Sequence, residues 1–202
     1  EFRRVLFRSG HLGALGQKNT KRLLAYSSIA HGGFMAMAWL FPAEDATKAL
    51  VFYGLTYGLS TVLVFYLVDE REGVYQQDDL ATWNGYASRE PGKAGLLLVG
   101  LASLIGLPPA GTFLAKITYF SLLWESFQTH KSLAIMSLMA VAILSTAISI
   151  YYYLKIPFRM YLKKASDGGI KGSEKGWESW VFILLACGII LCFLAPNLVF
   201  NV

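Results

Sequence analysis

The chain has 202 residues, of which 55% are hydrophobic, 14% aromatic and only 15% charged. Soluble domains carry about 25% charged residues, so charge this sparse, with a mean hydropathy of +0.47, points to a bilayer. The net charge of +5 does not mark a nucleic-acid binder, because the basic residues lie in short segments between apolar runs and not in a patch interleaved with aromatics.

Val5-Leu6-Phe7-Arg8-Ser9 reads like the translated tail of a sequencing adaptor. Residues 1–9 are therefore expected to be a non-native leader, and residues 10–202 a single transmembrane helical domain. A membrane-crossing helix needs about 20 mostly apolar residues. Five stretches qualify, at residues 23–41, 49–68, 95–124, 133–154 and 177–194. The expected fold class is an all-α integral membrane protein with five transmembrane helices.

The first stretch carries Tyr26, Ser27, Ser28 and His31. Ser27 and His31 share a helix face. A histidine there suits a proton relay, and equally a structural histidine bonded across helices. The second stretch places Tyr53, Thr56, Tyr57, Ser60 and Thr61 on one side, a pattern that reads as glue between helices. Its Gly54 and Gly58 form a small-xxx-small pair suited to close packing. The charged run Asp69-Glu70-Arg71-Glu72 that follows reads as a solvated helix end.

The third stretch holds Gly106-Leu107-Pro108-Pro109-Ala110-Gly111. Two prolines remove two N–H donors, and the glycines loosen the backbone. A straight helix over 95–124 would be about 45 Å long, against a hydrocarbon core of about 30 Å. The stretch is therefore expected to break at Gly106, Pro108, Pro109 and Gly111. Broken helices at membrane depth are tolerated in protein or beside a water-filled cavity, and they point to ion sites. Seven residues past Pro109 lies Lys116, the one Lys or Arg inside any of the five stretches. A lysine at that depth costs about 2.5–3.5 kcal/mol on insertion scales and is a functional-site candidate by default. The competing reading is snorkelling to an interface, which is awkward because Trp124 is about 12 Å away along the helix.

The fourth stretch has Ser145 and Ser149 on one face, then Tyr151, Tyr152 and Tyr153, read as packing and interfacial anchoring. Cys187 and Cys192, in the fifth, lack metal-ligand spacing and read as small apolar residues. Pro196 follows, where a helix stops. With residues 1–9 left out, the segment before the first stretch, the second-to-third loop and the fourth-to-fifth loop hold twelve Lys and Arg, against Lys48 and Lys131 in the other loops. That bias puts those three segments in the cytoplasm and the C-terminus on the far side. Nucleotide loops, haem or iron–sulfur cysteine patterns and hydrolase nucleophile motifs are absent from the sequence, so no cofactor and no metal is expected in this chain.

Residues Asn19 to Phe34, reading NTKRLLAYSSIAHGGF, resemble the N-x-K-R-L-L-A-Y-S-S-I-A-H-x-G-Y pattern of subunit N of bacterial NADH:quinone oxidoreductase, respiratory complex I. Ser103 to Lys116, reading SLIGLPPAGTFLAK, resemble that family's S-L-A-G-I-P-P-T-A-G-F-I-G-K. Ile150 to Lys155 are similar to its Y-Y-Y-L-R segment. Thr112 and Ala115 stand where the family usually has glycine, and Gly32 where it has a larger apolar residue.

The resemblance implies an antiporter-like, proton-translocating subunit of about fourteen transmembrane helices, of which these five are the last. Lys116 then matches the lysine of the second broken helix, in a proton half-channel. His31 matches the histidine on the polar axis, with Tyr26, Ser27 and Ser28 supporting it. NAD, flavin, iron–sulfur clusters and quinone are implied in partner subunits. The partners are other membrane-arm subunits and the lipid of a bacterial inner membrane, with the C-terminus on the periplasmic side. Multi-subunit cation/proton antiporters and membrane-bound hydrogenases share the fold and are the alternative. A scaffold segment in which Lys116 is a structural charge is the third reading.

Overall fold

The computed structural model describes residues 10–164 and 178–196. The expectations for the leader at 1–9, for Lys171 and Lys175, and for the start of the last stretch at Trp177 fall outside them. The described residues are helical: α1 (10–15), α2 (Thr20–Ala36), α3 (Ala43–Tyr75), α4 (Tyr86–Arg89), α5 (Pro91–Ile105), α6 (Gly111–His130), α7 (Leu133–Leu162) and α8 (Glu178–Leu194). Short 3₁₀ turns lie at Met37–Leu40 and Leu80–Trp83.

Local chemistry sets several of these limits. Asn19 caps α2 by accepting from Arg22 N at 2.8 Å. The Asp78 carboxylate reaches over from the α3–α4 connection and accepts from Thr20 N at 3.0 Å and Lys21 N at 2.9 Å. Those two donors belong to the orphan N–H groups of a helix start, so the cap also ties α2 to that connection. Pro91 opens α5, a position where its missing N–H costs nothing. Gly106 ends α5 at φ 85° and ψ 49°.

Three helices are long and apolar enough to cross a membrane, over Thr20–Leu40, Glu44–Tyr75 and Leu133–Leu162. Pro91–Ile105 and Trp180–Leu194 are shorter apolar helices. Two helices outrun the apolar stretches that announced them: α3 continues past Val68 to Tyr75, and α7 past Leu154 to Leu162 with Pro157 inside it. Apolar runs mark the hydrocarbon crossing, whereas helices continue while their ends find partners.

α3 is the central column, packed on α5, α6 and α8, while α7 closes the bundle against α5 and α6. One apolar core gathers Leu23, Leu63, Trp83, Leu97, Tyr152 and Phe182. A second gathers Phe34, Phe52, Tyr53, Tyr119 and Ala142. Outward faces carry exposed Val51, Val62, Ile143, Leu144, Tyr151 and Leu184, apolar surface of the kind that lipid or further helices cover.

Two expectations are corrected here. Among the described residues nothing packs on Gly54 or Gly58, since a Cβ on either would meet no neighbour within 4 Å. Arg71 is not at a solvated helix end. It is 3% exposed, and its guanidinium lies 4.2 Å from the Tyr75 ring and 4.5 Å from the Tyr86 ring. Its Nη2 donates to Thr82 O at 2.6 Å. Aromatic faces attract a guanidinium, and the connection to α4 folds back to supply them.

Candidate functional site

The backbone leaves the helix at Gly106 and re-enters it at Gly111. Pro108 and Pro109 are exposed there, joined by a cis peptide bond. Gly111 opens α6 against Thr56 Cγ2 and Cys192 Cβ, which would stand 2.6 Å and 2.7 Å from any Cβ at that position. The two helix ends are fastened by hydroxyls. Ser60 Oγ of α3 donates to Ser103 Oγ of α5 at 2.6 Å. Ser103 Oγ meets Thr112 Oγ1 of α6, which also donates to Ser103 O.

Lys116 sits one turn into α6 and is 4% exposed. Its Nζ donates to Ile105 O at 2.6 Å, the last carbonyl of α5, and lies 5.2 Å from the Phe34 ring centroid. Among the described residues no ion pair includes it. The last carbonyls of a helix carry partial negative charge and lack intrahelical donors, so the end of α5 is a ready acceptor for an ammonium. A charge held only by dipoles can lose its proton without leaving a buried counter-charge behind.

His31 is 4% exposed. Its Nδ1 hydrogen-bonds Tyr53 OH at 2.9 Å, and its ring lies 4.6 Å from that of Tyr57. Ser27 is buried and accepts from Tyr153 OH at 2.8 Å. Ser28 accepts from Tyr57 OH at 2.9 Å. Tyr26 is 36% exposed, on another face of α2 from Ser27 and His31. The bundle thus gathers Lys116, His31, Ser27 and Ser28 into its interior and leaves Tyr26 outside it. Lys116 and His31 line one internal cavity with Phe34, Ser145, Ser149 and Tyr152, which gives about 10 Å³ to a water's centre, the room of about one water.

Another polar wall of that cavity is His11 of α1, a residue the sequence reading passed over. It is 4% exposed. Its Nε2 hydrogen-bonds Ser145 Oγ across the bundle, and Nδ1 is buried with no partner among the described residues. Scarcity was the available signal: the chain has three histidines, and His11 stands in the apolar segment HLGAL. Tyr53 and Ser145, read as glue, hold the two imidazoles. Among the described residues no group of three or more His, Cys, Asp or Glu is arranged to hold a metal ion.

Residues 7–149 match the family described as NADH:quinone oxidoreductase/Mrp antiporter, TM. The chain belongs to this family. NADH-quinone oxidoreductase subunit N 2 of Chloroherpeton thalassium is 35% identical over 159 residues, 79% of this chain and 30% of that protein. Subunit N of Chlorobium chlorochromatii is 39% identical over 158 residues, 77% of this chain and 29% of that protein. The chain thus spans about a third of the length of these relatives.

Among solved structures of the antiporter fold, Thermus thermophilus respiratory complex I with bound Aureothin matches at TM-score 0.74 and 28% identity. The match covers 98% of this chain and 43% of that one. The Mrp complex of a Dietzia species matches at TM-score 0.84 and 18% identity, covering 98% of this chain and 44% of that one. A multi-pass membrane protein of the antiporter-like family accounts for the apolar helices and for both likenesses.

Proposed function

We propose that the chain is the C-terminal part of subunit N of a proton-translocating NADH:quinone oxidoreductase, and that Lys116 is its proton-transfer lysine. The observation that carries this reading is a buried ammonium with no carboxylate partner, held on the end carbonyl of a helix that stops beside it. A structural charge is ordinarily paired, whereas a transfer group must exist in both protonation states. His31, bonded to Tyr53 on the same cavity, is the relay on the polar side.

In this reading α5 and α6 are two halves of one broken membrane-crossing helix. The chain makes five passes, the last five of about fourteen, in a bacterial inner membrane with its C-terminus on the periplasmic side. NADH, flavin, iron–sulfur and quinone chemistry belongs to partner subunits, and this chain's share of the enzyme is proton movement. The named subunit N relatives favour it over an Mrp-type antiporter, whose likeness at 18% identity speaks to fold alone.

The test is Lys116→Ala in the full-length subunit, with NADH-driven quinone reduction and proton uptake followed together in inverted membrane vesicles. Both rates are expected to fall by about 10²-fold, within the range of acid–base groups, while the complex still assembles. Normal rates in an assembled complex would return Lys116 to a structural role. If NADH drives nothing in the unmodified protein either, the parent is an antiporter.

A further inference from the structure

Subunit N chemistry on Lys116 needs a group to take its proton, and the cavity offers two imidazoles. His31 has Nδ1 committed to Tyr53. His11 has Nε2 on Ser145 and Nδ1 buried with no partner among the described residues. Buried ring nitrogens are almost always satisfied, so a bare one beside a cavity of one water's size calls for an account.

Its placement is fixed by backbone contact. A Cβ on Gly10 would lie 2.8 Å from both Ala30 N and Tyr26 O of α2, so α1 lies directly on α2 and His11 cannot swing away. Lys155 Nζ bonds Leu15 O at the other end of the same short helix.

We infer that His11, with its imidazole oriented by Ser145, is a second proton-accepting group of this site and exchanges a proton with Lys116 through one cavity water. This rests on the proton-translocation reading above. The step uses the tautomer in which Nε2–H donates to Ser145 Oγ and Nδ1 holds a lone pair. An N–H bond of the Lys116 ammonium breaks as the water takes its proton and passes one of its own to Nδ1, where a new N–H bond forms. The positive charge moves from ammonium to imidazolium, the water is regenerated, and net charge is unchanged. Imidazolium keeps both N–H groups in use, one on Ser145 and one on the water, and hydrogen bonds from an ionised donor are the stronger ones. Histidine is the side chain suited to hold and release a proton near neutral pH. The titratable groups facing His11 are Lys116 of α6, His31 of α2 and Tyr152 of α7, whose ring lies 5.7 Å away. Lys155 is the charge at the end of α1.

The experiment compares His11→Gln, Ser145→Ala and Lys116→Ala in the full-length subunit within its assembled complex, reading proton uptake in inverted vesicles from pH 5 to 9. Gln keeps an amide for the Ser145 bond but does not take up or release a proton in this pH range. Uptake is expected to fall about 10-fold or more in His11→Gln and the pH profile to move in Ser145→Ala. Wild-type uptake and profile in His11→Gln, with Lys116→Ala inactive, would overturn this inference and leave the reading of Lys116 standing. Normal uptake in Lys116→Ala would overturn both. Should His11→Gln fail to assemble, the milder Ser145→Ala decides: a shifted profile supports the relay and an unchanged one overturns it.

Discussion

At Gly106 one residue sets where a charge can sit. Its φ of 85° costs a side chain-bearing residue about 1–2 kcal/mol. Lys116 Cδ also occupies the space a Cβ would need, 2.9 Å away. Gly106→Ala is expected to destabilise the folded subunit by at least about 1 kcal/mol and to push the ammonium off Ile105 O. Thermal unfolding of the purified protein reads the first effect and proton uptake the second; unchanged values in both would mean the turn adapts freely. Lys116 and the glycines around it were legible in the sequence because a lone charge and a Pro-Pro pair stand out in an apolar run. His11 was not, because what makes it notable is Ser145, a partner 134 positions away. Arg71 misled for the same reason: the rings that bury it come from Tyr75, Trp83 and Tyr86, and only the fold-back of the α3–α4 connection brings the last two within reach. Tyr26 shares a motif with Ser27 but not a face, since neighbours in sequence diverge by about 100° on a helix.

Between elements, the α5–α6 gap would be a loose joint without its hydroxyls. Ser60, Ser103 and Thr112 tie three helices at one point, close to the carbonyl that holds Lys116. Thr112→Val keeps shape and removes the donor to Ser103 O. It is expected to cost about 1 kcal/mol and to speed hydrogen exchange at Gly106 and Leu107, whose N–H groups bond Ala102 O at 3.0 Å and 2.9 Å. Exchange unchanged at those amides would show that packing alone holds the joint. The sequence reading expected a break in this stretch because prolines lack the donor a helix needs, and α5 and α6 are separate helices on either side of them. It could not find the fastening, since Ser103 and Thr112 are ordinary polar residues until α5 and α6 face each other. Helix ends were the least legible feature of α3 and α7 because hydropathy reports the lipid and tertiary partners decide the termini.

Across the whole molecule, charge sorts to the ends of the bundle. Among the described residues, parts of the three segments rich in Lys and Arg touch at one end: Leu80 N bonds Lys18 O at 2.8 Å and Gly85 N bonds Arg159 O at 3.1 Å. Lys93 belongs to that end. Burial alone would lower its pKa, but hydrogen bonds to Glu70 and Glu90 outweigh burial and raise it above the ordinary lysine range. A cation whose pKa is higher folded than unfolded adds stability below the unfolded value and loses it as pH rises through the folded one. Lys93→Gln should therefore lower the apparent melting temperature by a constant amount from pH 7 to about 10, and the gap to wild type should close above that. The pair is partly open to solvent, so the loss is expected to stay below about 1 kcal/mol, roughly 2–4 °C, and to shrink in high salt. A gap that instead widened above pH 10 would mean that Lys93 is favoured as the neutral amine, and that α5 is anchored at this end by packing and not by its two carboxylates.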